Sequence, residues 1–562
     1  MKVVIVGGVA GGASAAARLR RLDEQAQIII FERSGHVSYA NCGLPYFIGG
    51  TIGDESELTL QTPESFRRRF RIDVRVRHEV TQIDCEKKTV AVRNLQTGEL
   101  FEETYDKLIL SPGARPVVPP LPGVDSPRLF TLRTVEDTLR IHRFIEESKP
   151  ESAVVVGGGF IGLEMAENLL QRGVNVTLVE KAPQVLAPFD EDMATFVQGK
   201  LRRHGVKLLL NTGVAGFEET GGGIRTLTDC AQSIDAQMVI LSIGVAPESA
   251  LAREAGLMLG LKGSIIVDDH MRTSDPDIYA VGDAVQVGHG VTGEAALIAL
   301  AGPANKQGRI AADNICGLNS NYRGSFGSAV VKVFDMTAAA TGLNERAAKA
   351  AGIDYDKVVL SPASHAGYYP GGRAMTMKVL FEKKTYRLIG AQIVGFDGVD
   401  KRIDVLATAM QAGMSALDLK DLDLAYAPPF SSAKDPVNMA GFVMENVALG
   451  VVKQFHYEEV ASLPRDGSVT LLDVRTMGEY QRGHAEGFRN IPVDDLRERL
   501  GELDKIKPVY VMCQSALRSY LACRILSQNG FDCFNFSGGY RFYESVAQEK
   551  MLENVNVSCG LV

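Results

Sequence analysis

Two cysteines of this chain stand in segments that could carry out thiol chemistry. Cys42 lies in the stretch NCGLPYFIGG, and Cys513 opens the six-residue loop CQSALR. Neither has a second cysteine within a few residues, so no local redox disulfide is expected. A lone thiolate can still attack a sulfur that another molecule carries. The alternative, a buried structural cysteine, stays open on these residues alone.

The elements that would position Cys42 begin with a glycine-rich turn at the N-terminus. The apolar run Lys2–Val6 is typical of a buried parallel strand, and the turn GGVAGG leads into an Ala-rich helix. Gly7 and Gly12 match a dinucleotide-binding turn, in which backbone N–H groups and a helix N-terminus face a pyrophosphate, while Val9 replaces the second glycine. The next strand ends in Glu32, where a carboxylate can accept from a ribose hydroxyl.

A second turn of the same kind lies in AVVVGGGFIG. Here Gly157, Gly159 and Gly162 complete the pattern, and the following strand ends in Glu180. A carboxylate at that place would repel a 2′-phosphate, so we expect NADH rather than NADPH, although Lys181 could weaken the preference. Two such turns predict a flavin and a nicotinamide that exchange hydride.

Two further segments identify the type of protein. Tyr105–Pro116 and Asp277–Ala284 closely resemble motifs of the flavoprotein disulfide reductases that bind two dinucleotides. The resemblance implies that Asp283 contacts the flavin ribityl chain. It also implies cofactor contacts at Arg33, Ala114 and Gly244.

A chain of 562 residues exceeds one core, and the order of these motifs predicts an α/β protein of four domains. Two Rossmann-like domains are nested: an FAD domain at 1–115 and 250–320, and an NADH domain at 116–249. The resemblance implies that an α+β dimerisation domain follows at 325–447, and the last segment, 455–562, is typical of a small α/β domain.

The stretch around Cys42 resembles the single-cysteine members of this family, most specifically the coenzyme A disulfide reductases and their persulfide-reducing relatives. The resemblance implies that Cys42 attacks a disulfide or persulfide and is then reduced through FAD. Coenzyme A would be a substrate or a tightly held group.

Ser14, Arg18 and Arg21 share one face of the first helix, and forked arginine donors suit phosphates. Spacing alone favours a solvated face or a salt bridge over a ligand site. The resemblance implies that the coenzyme A contacts are Ser14, Arg18, Arg21, Ser38, Asn41, Asn305, Arg309 and Lys434.

Two C-terminal segments resemble parts that reach the partner subunit's active site in that family, HAGYYPGG and LAYAPPFSSAKDPVN. Tyr368 and Tyr426 would donate hydroxyl protons near the thiol. The resemblance therefore implies a homodimer with a shared active site. Without it, such tyrosines are more often core residues.

The segment after Gly450 resembles rhodanese-type sulfurtransferases. Backbone N–H groups around the Cys513 sulfur would stabilise a thiolate or persulfide, and Arg518 would close the loop and hold an anionic donor. Many such loops carry glycine where this one has Ala516, and alanine is strained if that residue needs a positive φ. An inactive binding domain is the alternative.

Composition excludes other classes of function. The net charge of −8 argues against a nucleic-acid-binding surface, and no apolar run approaches the roughly 18 residues of a membrane span. Glycines interrupt the apolar N-terminal stretch, so we expect no signal peptide. Scattered cysteines predict a reducing cytoplasm and no metal site. We expect the remaining cysteines to pack in the core (Cys85, Cys230, Cys316, Cys523 and Cys533), while Cys559 has no assigned role.

The leading hypothesis is an NADH- and FAD-dependent reductase of coenzyme A persulfide, polysulfide or disulfide, in which Cys513 handles sulfane sulfur. Two alternatives remain. The protein could be an NADH oxidase or peroxidase that cycles through a cysteine sulfenic acid. Its rhodanese-like domain could instead only bind a partner. The sequence does not separate persulfide from disulfide as the substrate.

Overall fold

The protein is described by a computed structural model over residues 1–558, so Cys559 lies outside the described residues. The helices are α1 (Ala10–Leu22), α2 (Leu44–Gly49), α3 (Pro63–Phe70), α4 (Val135–Ser148), α5 (Phe160–Gln171), α6 (Glu191–Arg203), α7 (Ala250–Glu254), α8 (Ala301–Ile315), α9 (Glu345–Ala350), α10 (Val399–Gln411), α11 (Pro436–Ala448), α12 (Tyr457–Val460), α13 (Met477–Arg482), α14 (Leu517–Gln528) and α15 (Gly539–Ser558). Within the described residues, none of these helices combines the length and apolarity needed to cross a bilayer.

The strands are β1 (Lys2–Val6), β2 (Gln27–Glu32), β3 (Asp73–Val76), β4 (His78–Asp84), β5 (Thr89–Asn94), β6 (Leu100–Thr104), β7 (Lys107–Leu110), β8 (Ala114–Pro116), β9 (Leu129–Phe130), β10 (Ser152–Val156), β11 (Asn175–Val179), β12 (Lys207–Leu209), β13 (Val214–Glu219), β14 (Ile224–Thr228), β15 (Ser233–Ala236), β16 (Met238–Leu241), β17 (Val245–Pro247), β18 (Ile278–Ala280), β19 (Val287–Gly288), β20 (Ala295–Ala296), β21 (Ala329–Val333), β22 (Met336–Gly342), β23 (Tyr355–Leu360), β24 (Thr376–Glu382), β25 (Leu388–Gly395), β26 (Lys453–Phe455), β27 (Thr470–Asp473), β28 (Arg489–Asn490), β29 (Val509–Met512) and β30 (Cys533–Phe536).

The chain forms two compact units, and the first comprises Met1–Val185 and Gly205–Gly327. It contains two five-stranded parallel sheets, in the orders β18-β7-β1-β2-β3 and β12-β11-β10-β16-β9. Apolar strands such as KVVIV and SAVVV are buried because helices cover both faces of such sheets. The first sheet takes β18 from beyond the second sheet in sequence, which is the predicted nesting.

The second unit comprises Leu186–His204 and Ser328–Val562. Its antiparallel sheet has the order β21-β22-β25-β24-β23, and α10 packs against it. Its parallel sheet has the order β26-β30-β29-β27-β28. Helix α6, which follows β11 in sequence, packs on α15 in this unit. The Thr195 hydroxyl lies 3.0 Å from that of Ser545, and Arg202 pairs with Glu549 at 3.3 Å.

Candidate active site

The first glycine turn connects β1 to α1 in a conformation that only glycine fits. Gly7 has φ +94°, and a Cβ there would lie 2.1 Å from the Ser111 carbonyl oxygen. A Cβ on Gly12 would lie 1.9 Å from the Gly7 oxygen. Val9 has φ −98°, so this side chain at the second glycine position causes no left-handed strain.

The second turn, between β10 and α5, repeats this geometry. Gly157 has φ +107°, and a Cβ there would lie 2.4 Å from the Ser242 carbonyl oxygen. A Cβ on Gly162 would lie 1.9 Å from the Gly157 carbonyl oxygen. A Cβ on Gly159, the counterpart of Val9, would meet no atom of the described residues within 4 Å. Both turns therefore leave the N-terminus of a helix open to a phosphate group, as a bound dinucleotide requires.

The two acidic strand ends hold these turns in the same way. Glu32 accepts from the N–H of Gly8 at 2.9 Å, and Glu180 accepts from the N–H of Gly158 at 2.6 Å. Each carboxylate therefore lies beside its glycine turn, where a ribose would follow the pyrophosphate. The residues present fit one dinucleotide at each turn.

Three further predicted cofactor residues lie where the two Rossmann-like domains connect. Strand β8 pairs with β17, and Ala114 lies opposite Pro247. Gly244 has φ +115° and accepts from the N–H of Val117 at 3.0 Å. Arg33 pairs with Glu248 at 3.6 Å. The pairing of β8 with β17 therefore joins the two segments through which the chain passes between the Rossmann-like domains.

Cys42 lies in a short 3-10 turn, Asn41–Gly43, directly before α2. The residue is exposed, yet the protein atoms around it desolvate the thiol. This desolvation raises the pKa of Cys42, the carboxylates of Glu164 and Asp283 raise it further, and the Arg133 guanidinium opposes them. Of these three charged groups, Arg133 is the one that favours the thiolate.

The sequence analysis did not indicate three residues that lie near this thiol. The Tyr46 hydroxyl, one turn after Cys42, donates to Glu164 of α5 at 3.2 Å. Burial raises the pKa of Glu164 to about 7, although the Tyr46 hydrogen bond lowers it. Arg133 pairs with Asp283 at 2.9 Å. The position of Glu164, two residues after the last glycine of the second turn, could have marked it as a site residue. No sequence motif marked Arg133.

A cavity of about 380 Å³ lies along α1 and α8. Its lining includes five of the predicted coenzyme A residues: Ser14, Arg21, Ser38, Asn305 and Arg309. The helices approach closely, since a Cβ on Gly308 would lie 2.2 Å from the Gly11 oxygen, and Ser14 hydrogen-bonds Asn305 across them. Gln61, Phe66 and Phe70, which the sequence did not indicate, complete one side.

The other predicted coenzyme A residues lie elsewhere. Arg18 is not part of the cavity lining and pairs with Asp313 at 2.6 Å, the salt bridge that its spacing left open. The Asn41 amide faces Arg133, oriented to donate to its carbonyl at 3.0 Å and to accept from its guanidinium at 3.1 Å. Lys434 is exposed in the second unit, before α11.

In the second unit, the hydroxyls of Tyr368 and Tyr426 hydrogen-bond each other. Their exposed fractions are 75% and 45%, so neither is a core residue. The hydrogen bond to Tyr368 raises the pKa of Tyr426. Phe430, exposed to 71%, lies in the second of the two predicted partner-reaching segments. Exposed aromatic side chains of this kind are typical of a surface that another chain covers.

The loop after β29 holds Cys513 fully buried, and the Ser519 hydroxyl donates to its sulfur at 3.2 Å. Ala516 has φ +68°, the left-handed conformation that disfavours alanine. Both guanidinium Nη atoms of Arg518 donate to Glu479 at 2.7 Å. Arg518 therefore closes the loop through a carboxylate, which the sequence did not predict.

Among the other cysteines, Cys523 and Cys533 are buried as expected, while Cys85 and Cys316 are half-buried. The expectation of a core position is wrong for Cys230, which is exposed. It lies in the turn between β14 and β15, where the chain reverses at the protein surface.

Three carboxylates of the second unit, Asp190, Asp192 and Glu345, lie within 4.8 Å of one another, as metal ligands do. The ammonium of Lys378 lies among them, 3.0 Å from Asp190 and 2.8 Å from Asp192. Lys357 also contacts Glu345 at 2.9 Å. A buried lysine therefore supplies the positive charge at this cluster.

The fold and the two glycine turns define an oxidoreductase that binds two dinucleotides. The family model described as pyridine nucleotide-disulphide oxidoreductase matches residues 1–308, its dimerisation domain matches 328–436, and a rhodanese-like domain matches 456–545. The chain belongs to the pyridine nucleotide-disulphide oxidoreductase family.

Full-length relatives are similar to this chain. The coenzyme A disulfide reductase of Staphylococcus epidermidis is 38% identical over 442 residues, which cover 78% of this chain and 99% of the relative. The structure of reduced CoADR-RHD from Bacillus anthracis matches with a TM-score of 0.95 and 48% identity, over 98% of each chain. The NAD-dependent persulfide reductase of A. fulgidus matches with a TM-score of 0.92 and 39% identity, over 97% of this chain and all of the other. The predicted family, fold class and enzyme class are confirmed.

Proposed function

We propose that the protein uses NADH and FAD to reduce coenzyme A persulfide, polysulfide or coenzyme A disulfide at Cys42. The cavity on α1 and α8 carries the proposal, because five residues expected to contact coenzyme A line it together. Arg21 and Arg309 suit the phosphates of such a ligand. Ser38, only four residues before Cys42, connects the cavity to the thiol segment.

The Cys42 thiolate attacks one sulfur of the substrate and displaces the other as a thiolate. A coenzyme A disulfide yields a mixed disulfide on Cys42 and free coenzyme A, and a persulfide yields a Cys42 persulfide. When bound, FAD supplies the hydride chemistry that passes two electrons from NADH to this S–S bond. Cys42 then returns to the thiolate and releases coenzyme A or sulfide.

The residues around Cys42 adjust its protonation. Arg133 favours the thiolate, while Glu164 opposes it when ionised. Since the pKa of Glu164 is about 7, this carboxyl can give or take a proton at working pH. Because Glu164 accepts a hydrogen bond from the Tyr46 hydroxyl, we assign it as a proton relay for the leaving thiolate.

We further propose a homodimer with a shared active site. The exposed pair Tyr368 and Tyr426 supports it, because two hydroxyls held together can donate to a leaving thiolate of the other subunit. Lys434, in the same exposed segment as Tyr426, would contact that subunit's coenzyme.

In the rhodanese-like domain, Cys513 would receive sulfane sulfur and pass it on to coenzyme A. Thiol chemistry of this kind favours a reducing cytoplasm. We propose domain boundaries at 1–115 with 250–320, 116–249, 325–447 and 455–562, and the last domain extends beyond the described residues.

The test is steady-state NADH oxidation by the holoenzyme with coenzyme A persulfide, coenzyme A disulfide or oxygen as the electron acceptor. We expect Cys42→Ser to abolish turnover of both sulfur substrates and the control Cys85→Ser, at a half-buried cysteine, to retain it. Persulfide turnover by Cys42→Ser at the wild-type rate would refute the mechanism. Rapid oxygen-dependent NADH consumption without a sulfur substrate would favour the oxidase instead.

A further inference from the structure

Two guanidinium groups lie beside the Cys513 loop, and each is paired with a carboxylate. Arg518 donates through both Nη atoms to the two oxygens of Glu479 at 2.7 Å. Arg475 is buried and donates to Asp473 at 2.7 to 3.1 Å. The four charges sum to zero, so these side chains give the loop no net positive charge.

The pairing of Arg518 is built into the domain. Thr476, the N-cap of α13, donates its backbone N–H and its hydroxyl to Glu479, each at 2.9 Å. The Arg518 hydrogen bond, with those from Thr476, lowers the pKa of Glu479 to about 2 although partial burial opposes them. Glu479 therefore stays ionised and in place at any pH near neutrality.

The charge of a sulfur donor determines what it gains or loses at this site. The Cys513 sulfur is fully buried, so a donor must lose hydration to reach it. A dianion such as thiosulfate then loses hydration without gaining an unpaired guanidinium from Arg518 or Arg475, and the Glu479 carboxylate repels it. The terminal sulfur of an organic persulfide carries at most one charge and avoids most of this penalty.

We propose that Glu479 determines the donor class of the rhodanese-like domain: by neutralising Arg518, it makes Cys513 prefer organic persulfides, R–S–SH, to inorganic dianions. The inference rests on the proposed function, in which Cys513 carries sulfane sulfur. The Cys513 thiolate attacks the terminal sulfur, the donor S–S bond breaks, and R–S⁻ leaves with the bonding electron pair. Cys513 keeps the transferred sulfur as a persulfide; with thiosulfate, the same attack releases sulfite.

The experiment compares thiosulfate with glutathione persulfide as donors and cyanide as the acceptor, using the full-length holoenzyme. Glu479→Gln still accepts hydrogen bonds from Thr476 but removes the charge that neutralises Arg518. We expect the ratio of kcat/KM for thiosulfate to that for the persulfide to rise at least tenfold. The gain should shrink as salt is added, because salt screens the freed charge.

Glu502→Gln is the matched control. Glu502 pairs with Arg499 through two hydrogen bonds of 2.6 and 2.9 Å, and both side chains are more than one-third exposed. We expect this control to leave the donor ratio unchanged. Adding Arg518→Ala to Glu479→Gln should cancel the gain, because the gain depends on the freed guanidinium.

A ratio for Glu479→Gln within twofold of wild type, or a gain that survives Arg518→Ala, overturns the proposal. If Glu479→Gln does not fold, Arg518→Ala alone decides the question. It leaves an unpaired carboxylate and should lower the donor ratio severalfold, and an unchanged ratio overturns the proposal. Cys513→Ser provides the background rate, and full transfer without this thiol would refute the function of Cys513 itself.

Discussion

The buried Lys378 allows a prediction of stability whose size follows from its surroundings. Its side chain is fully buried on β24, and its ammonium contacts Asp190, Asp192 and Glu345. Lys378→Met removes the charge and keeps most of the apolar stem. Breaking a buried ion pair on one side costs about 3–5 kcal/mol. At roughly 2–4 °C per kcal/mol for a domain of this size, we expect the unfolding transition of the second unit to fall by about 6–20 °C.

The pH dependence of this loss has a definite sign. Burial alone raises the pKa of Glu345, but Lys378 and Lys357 outweigh it and hold the pKa well below its usual range. Burial also raises the pKa of Asp192, and Lys378 opposes this rise. Without Lys378, both carboxyls take up protons at a higher pH in the folded protein. The penalty is therefore greatest above the raised pKa values and shrinks as the pH falls through them.

The assay is scanning calorimetry of the holoenzyme at pH 8 and at pH 5.5. Lys383→Met is the matched control, because Lys383 and Asp354 form an ion pair of 3.4 Å with both side chains more than half exposed. An exposed pair contributes about 1 kcal/mol or less. A loss for Lys378→Met no larger than that of Lys383→Met at pH 8, or a larger loss at pH 5.5, would refute the reasoning.

Three further predictions concern the sites. Ala516→Gly should stabilise the rhodanese-like domain by about 1 kcal/mol, since glycine accepts φ +68° freely, and a lower transition temperature would contradict this. Glu164→Gln should move the pH profile of Cys42 alkylation to lower pH, because it removes a charge that raises the thiol pKa; mass spectrometry of the modified peptide measures it, and no movement would argue against their coupling. Arg21→Ala should raise KM for coenzyme A disulfide about tenfold with little change in kcat. An unchanged KM would show that this cavity does not bind the coenzyme.

The glycine turns show how far local sequence reaches. Gly7 and Gly157 need positive φ and a close approach to a neighbouring carbonyl, and both requirements are visible as glycines after an apolar strand. The role of Ala516 followed the same logic, because the conformation of a six-residue loop is largely local. Its φ of +68° shows the strain that the missing glycine suggested.

Contacts between distant segments were beyond the sequence. Arg18 and Arg21 share one helix face, yet Arg18 pairs with Asp313 while Arg21 lines the cavity. Which of the two arginines forms a salt bridge depends on how α8, nearly 300 residues further along the chain, packs against α1. Likewise, the pairing of Arg518 with Glu479 depends on the packing of α13 beside the loop.

The sequence by itself determined the family, the nested α/β architecture and the two lone thiols, because strand periodicity, glycine turns and short motifs are local properties of the chain. Only the tertiary structure decided the electrostatic surroundings of those thiols. Charges act through space, and the groups that control Cys42 come from three separate segments, at Arg133, Glu164 and Asp283. No spacing in the chain encodes their approach, which arises only when these distant segments fold together.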